Sequence, residues 1–159
     1  MKATEVDKYI KSLSPVYILM GGVGLLTGVF AIKEVVNLLS VSTEERKENQ
    51  IDMAIKEEQD KGNNLSYSLA QYQMMADLVE EATDTSGTDT EAIYNVFAQL
   101  RNNTDVLQLI KTYGERWNFM FGLPLGKFTL QQIINSEFDS GERATLNQII
   151  TGNDITIQF

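Results

Sequence analysis

The side chains with the chemistry for catalysis are carboxylates. Glu80 and Glu81 are adjacent, and Glu115 and Glu137 flank a stretch rich in aromatic residues. One acid held protonated beside one held ionised is the arrangement a small hydrolase uses for general acid and base steps. No nucleophile elbow, metal-ligand spacing or phosphate loop accompanies either pair. The chain contains no histidine and no cysteine. The first absence removes the commonest general base and metal ligand and every Ser-His or Cys-His nucleophile. The second removes disulfides and thiolate metal sites. These acids read as ordinary surface groups of an acidic protein, so the expectation is a chain that is not an enzyme and holds no cofactor. Its net charge of −9 and pI near 4.5 argue against nucleic acid as a partner and against a polybasic lipid-binding patch.

The element that organises the rest is an apolar run. Val16 to Ile32 is seventeen residues without a charge, about 25 Å as a helix against a hydrocarbon core of roughly 30 Å. Lys33 can extend its amine to the headgroups, and Val35, Val36, Leu38 and Leu39 continue the span. Ser14 and Pro15 suit its first turn. The run is longer than the h-region of a signal peptide and no A-x-A-like cleavage site follows, so it reads as an uncleaved single-pass anchor. Lys2, Lys8 and Lys11 on one side are matched by Lys33, Arg46 and Lys47 on the other, which leaves the orientation open. Gly21, Gly24 and Gly28 fall on one helical face and include a GxxxG, the pattern that lets two backbones approach in lipid; glycine is also common in membrane helices.

Residues 40–63 are the most charged part of the chain and are expected to form a solvated, partly helical stalk or linker. The head, residues 64–159, shows amphipathic spacing. Leu65, Leu69, Tyr72, Ala76 and Val79 mark a first helix to about Ala82. Thr88 and Glu91 form a capping box before Ile93, Val96, Phe97 and Leu100. Asn102 to Thr104 cap a third helix, Thr129 a fourth, and Asp139 with Glu142 a last one ending at Gly152. Gly114 to Lys127 reads as a loop in which Trp117, Phe119 and Phe121 either fold back to close the core or present a partner-binding or membrane-dipping surface. The tail to Phe159 is expected to tuck against the domain.

Gly87-Thr88-Asp89 followed by Glu91-Ala92-Ile93 looks like the GTDE-x-AI start of an annexin-type repeat, and Leu130 to Phe138 resembles that repeat's L-x-x-x-I-x-S-E-F run. Residues 87–152 thus resemble a single annexin-like helical repeat, about 40% of the chain. The resemblance implies a bundle of short helices and calcium-dependent binding of acidic lipid through a G-x-G-T loop and a distant carboxylate. Thr85 stands where the first glycine belongs, and the distant acid falls near Lys127 rather than on a carboxylate. Asp84, Asp89 and loop carbonyls supply only part of the roughly six to eight oxygens calcium takes. Annexins carry four repeats, whereas this chain has room for one. Single domains similar to this occur in uncharacterised bacterial and phage proteins, which implies a prokaryotic or phage setting.

The expected protein is all-α. Residues 1–14 are a polar segment, 15–39 a transmembrane helix, 40–63 a charged stalk and 64–159 a head of about five short helices. The expected function is that of a single-pass membrane-anchored structural or interaction protein, in the setting of a lipid-containing phage virion or a bacterial envelope assembly. Its partners would be the lipid bilayer and other proteins, including copies of itself. The alternatives are a calcium- or lipid-binding module and a small carboxylate hydrolase.

Overall fold

The computed structural model describes residues 44–84, 87–120 and 123–159. The expected membrane span, with Gly21, Gly24 and Gly28, lies outside them. No helix among the described residues is long and apolar enough to cross a membrane.

The described residues are mostly helical: α1 (Glu44–Asp60), α2 (Leu69–Thr83), α3 (Thr90–Gln99), α4 (Asn103–Tyr113), a hairpin of β1 (Glu115–Met120) and β2 (Leu123–Thr129), α5 (Leu130–Glu137) and α6 (Ser140–Gly152). The five helices expected beyond residue 64 are all present. The loop expected over Gly114 to Lys127 is instead a two-stranded antiparallel hairpin.

Side-chain capping sets most of the boundaries. Ser68 accepts from the Gln71 amide while Gln71 accepts from the Ser68 amide, so α2 begins at Leu69 rather than Leu65, and Leu69 stays exposed. Thr129 with Gln132 and Asp139 with Glu142 close capping boxes on α5 and α6, as their spacing predicts. The capping box expected from Thr88 and Glu91 does not form; the cap lies one residue later, at Asp89, and is one-sided because the third residue of the helix is Ala92. Asp89 accepts from the Ala92 amide at 3.0 Å, and Thr88 Oγ1 donates instead to Glu137 Oε2 at 2.5 Å, tying the start of α3 to the end of α5.

The core centres on α4, whose Val106, Leu107, Leu109 and Ile110 are buried. Tyr72, Ala76 and Val79 of α2, Ile93, Val96 and Phe97 of α3, Leu130, Ile133 and Ile134 of α5, and Leu146 and Ile150 of α6 join it. The tail adds Ile155 and Ile157, and Phe159 meets Phe97 edge to face with ring centroids 5.1 Å apart.

The stretch expected as a solvated stalk behaves differently from Glu44 onward. In α1, Ile51, Ala54, Ile55 and Glu58 recur at i, i+3, i+4 and i+7 and are all buried. A narrow apolar stripe within a charged helix is enough to dock it, because burying each isoleucine is worth about 1.5–3 kcal/mol. The partner is α4, and the pairing is antiparallel. Glu58 near the end of α1 meets Asn103 at the start of α4, while Asp52 pairs with Lys111 near the end of α4. The first residue of α1 and the start of the hairpin therefore lie at the same end of the domain. α2 runs parallel to α4, with Tyr72 bonded to Asp105 at one end and Glu80 to Arg116 at the other.

Candidate functional site

The hairpin is the element that presents unusual surface. Gly114 ends α4 at φ 57 and ψ −132, a conformation open mainly to glycine, and turns the chain into β1. Pairing runs from Glu115↔Thr129 to Asn118↔Gly126, then shifts so that Phe119 pairs with Pro124. Leu125 is the extra residue of this bulge, beside Gly126 at φ 136.

The period of two separates the hairpin's faces. Arg116, Asn118 and Phe128 face the domain: Asn118 is buried, Phe128 packs on the core, and the Arg116 side chain is 12% exposed. Arg116 is the anchor. Its Nη1 donates to Asp77 Oδ1 at 2.8 Å and Glu80 Oε2 at 2.5 Å, its Nε donates to the Tyr113 carbonyl at 3.2 Å, and the guanidinium lies 5.0 Å from the Tyr113 ring centroid. Burial disfavours the guanidinium charge, but the bonds to Asp77 and Glu80 outweigh it and hold the Arg116 pKa above its ordinary value. The same bond from Arg116, helped by Gln73, lowers the Asp77 pKa. Burial, reinforced by the nearby Glu80 charge, pushes Tyr113 up to about 12. The other face carries Trp117 directly opposite Lys127. Trp117 is 53% exposed and Leu125 50% exposed, with Pro124 also in the open.

Trp117 thus does not fold back to close the core. The core face of the hairpin belongs to its even-numbered neighbours, a consequence of strand alternation that a loop reading could not supply. The Phe119 side chain and Phe121 lie outside the described residues.

The carboxylates singled out for acid–base chemistry are engaged separately. Glu80 binds Arg116, and Glu137 accepts from Thr88. Glu80 and Glu81, one residue apart on a helix, point in different directions. Asp89 is a helix cap, and Thr85 lies outside the described residues. Among the described residues no group of three or more His, Cys, Asp or Glu side chains is placed to hold a metal ion.

Two buried acids escaped sequence reasoning. Asp105, fully buried, accepts from Tyr72 Oη at 2.6 Å and from the Ser66 and Arg101 amides at 2.9 Å each. Burial, reinforced by hydrogen bonding to that carboxylate, pushes the Tyr72 pKa up. Glu58 is 2% exposed and accepts from Lys61, Asn63 and Asn103. Burial raises its pKa, and the three hydrogen bonds more than reverse that, leaving it below 4.5. Both are structural pins. The i, i+7 spacing of Glu58 from Ile51 was the available signal, obscured by the charges around it.

Compared with family models, curated proteins and solved structures, the chain matches none.

Proposed function

We propose that this chain is a single-pass membrane-anchored structural or interaction protein. The observation that carries the reading is the uncharged run from Val16 to Ile32, extended by Val35 to Leu39, which has the length and composition of a bilayer span. The helical domain that follows is joined to it by few residues, and its hairpin carries exposed apolar side chains of the kind that mark contact surfaces. A lipid-containing virion or a bacterial envelope assembly is the setting that fits an anchored, acidic helical head. The annexin-like start at Gly87 supports a prokaryotic or phage origin and a helical module without requiring calcium.

Alkaline carbonate extraction of membranes from expressing cells tests the anchor. The full chain is expected in the pellet and in the detergent-soluble fraction. Release by carbonate overturns the reading. Mass and stoichiometry of what co-purifies then distinguish a virion component from an envelope assembly.

A further inference from the structure

We propose that the outer face of the hairpin, carrying Trp117 and Leu125, lies in the interfacial zone of the bilayer that holds the anchor. The inference rests on the membrane-anchored reading above and deepens it by giving the hairpin a lipid contact.

Because α1 and α4 are antiparallel, as the Glu58–Asn103 and Asp52–Lys111 pairs require, the hairpin emerges at the end of the domain where α1 begins. Four residues separate Leu39, the last apolar residue of the expected span, from Glu44. Even fully extended, that connection reaches only roughly 17 Å. On the anchored reading, the end of the domain that carries the hairpin is the end at which the chain leaves for the bilayer.

The chemistry of the face fits that place. Residues 117–126 contain no charge, whereas a hairpin held in water ordinarily carries polar side chains near its turn. Tryptophan is the residue most at home where headgroups meet acyl chains. Its cross-strand partner Lys127 supplies an ammonium that can stay among phosphates while its stem lies along apolar surface. Arg116, the other base of the hairpin, is turned inward and neutralised by Asp77 and Glu80, so it places no charge on the outer face. The rest of the domain is acidic and favours a shallow contact through this one face over a broad electrostatic attachment to anionic lipid.

Trp117 is the only tryptophan of the chain, so its emission reports this face alone. The full chain is reconstituted in phosphatidylcholine vesicles, with and without bromine on the acyl chains, and flotation is read in parallel. A blue-shifted emission, loss of most of it in brominated vesicles, and protection from aqueous iodide are expected. A second probe, Met74→Trp in a Trp117→Phe background, sits toward the far end of α2 and should keep its iodide sensitivity and ignore bromine. Three results overturn the inference. If the chain floats but Trp117 stays open to iodide, the face is in water while the anchor stands. Shielding from iodide without bromine quenching means that protein, such as a second copy, covers the face. Failure to float removes the anchor and the lipid contact together.

Discussion

Asn103 donates to the carboxylate of Glu58 at 3.2 Å across 45 residues of sequence, and its own carbonyl oxygen accepts from the Thr156 amide at 2.9 Å. One amide side chain thus joins the end of α1, the start of α4 and the C-terminal tail. Glu58 gathers two further donors, Lys61 at 2.8 Å and Asn63 at 2.9 Å, and Thr104 donates to the Asn63 carbonyl at 2.6 Å. The apolar stripe of α1 supplies affinity for α4, and this polar cluster fixes its register. A slip of α1 by one turn would bring Ala54 or Ile55 to the place where the donors now meet a carboxylate.

Removing that carboxylate should therefore cost more than an exposed ion pair. Glu58→Ala takes the acceptor from the half-buried Asn63 amide and leaves the buried Asn103 amide with Thr156 Oγ1 alone, a loss of about 1–3 kcal/mol. Glu58→Gln keeps the shape and one acceptor and should cost less. Thermal unfolding of the full chain in detergent measures both. Equal, negligible losses would mean that α1 docks through Ile51 and Ile55 alone.

The same group sets an acid limit. Burial raises the Glu58 pKa but the Lys61, Asn63 and Asn103 bonds lower it further, so the folded pKa lies below the ordinary 4.5. A depressed carboxylate contributes stability that is fully present above the unfolded pKa and is lost as pH falls through the folded one. Stability from this group is expected to be flat above about pH 5 and to decline below the ordinary carboxylate range. In Glu58→Gln the decline should be shallower; titrating unfolding temperature against pH for both proteins checks it.

Arg116 makes a different kind of prediction, because its acidic partners are partly exposed. Asp77 and Glu80 are screened by water, which discounts the ion pairs, whereas the guanidinium itself is nearly buried against Tyr113. Arg116→Ala should destabilise by about 1–2 kcal/mol, with most of the loss from packing and the Tyr113 contacts. Arg116→Lys should recover little of it, since an ammonium cannot span Asp77, Glu80 and the Tyr113 carbonyl at once. Hydrogen exchange of the β1 and β2 amides is the direct readout, and accelerated exchange confined to the hairpin is expected.

The helices were legible in the sequence because each carries a local signal: caps at Asn102, Thr129 and Asp139, and apolar side chains at three- and four-residue steps. The hairpin was not, since its turn lacks the usual Asn-Gly or Asp-Gly signature and Trp117, Phe119 and Phe121 suggested a fold-back into the core. Strand alternation places Asn118 and Phe128 inward and Trp117 outward, a distinction visible only once the pairing with Lys127 and Gly126 is known. Docking of α1 was hidden for the opposite reason. Three apolar side chains among many charges look solvated until α4 offers them a groove. The long-range partners of Glu80 and Glu137, Arg116 and Thr88, have no local signal in the sequence at all.

Asp154 tests backbone strain in isolation. It is exposed and adopts φ 58, the only positive value at a non-glycine among the described residues, in the turn that closes α6. A branched side chain resists this conformation, so Asp154→Val should lower stability by about 1–2 kcal/mol. Asp154→Gly should be neutral or slightly stabilising, because glycine relieves the strain but gains freedom in the unfolded chain. Equilibrium unfolding of the three proteins under one condition decides it. A harmless valine would show that the turn readily adopts another conformation.

The glycine face of the expected anchor is the last and most functional test. Gly21, Gly24 and Gly28 are spaced to share one side of a helix, and without side chains there two helices can approach closely enough for backbone packing in lipid. Replacing Gly24 and Gly28 with leucine makes the span more apolar and blocks that approach, so insertion should persist while association falls. Crosslinking in native membranes should drop several-fold, and carbonate resistance should be unchanged. The helical domain should unfold at the same temperature as in the parent chain, because none of its described residues changes. If crosslinking and incorporation into the complex are unaltered, the glycines serve the span and not a contact, and the protein's partners must be met through its head.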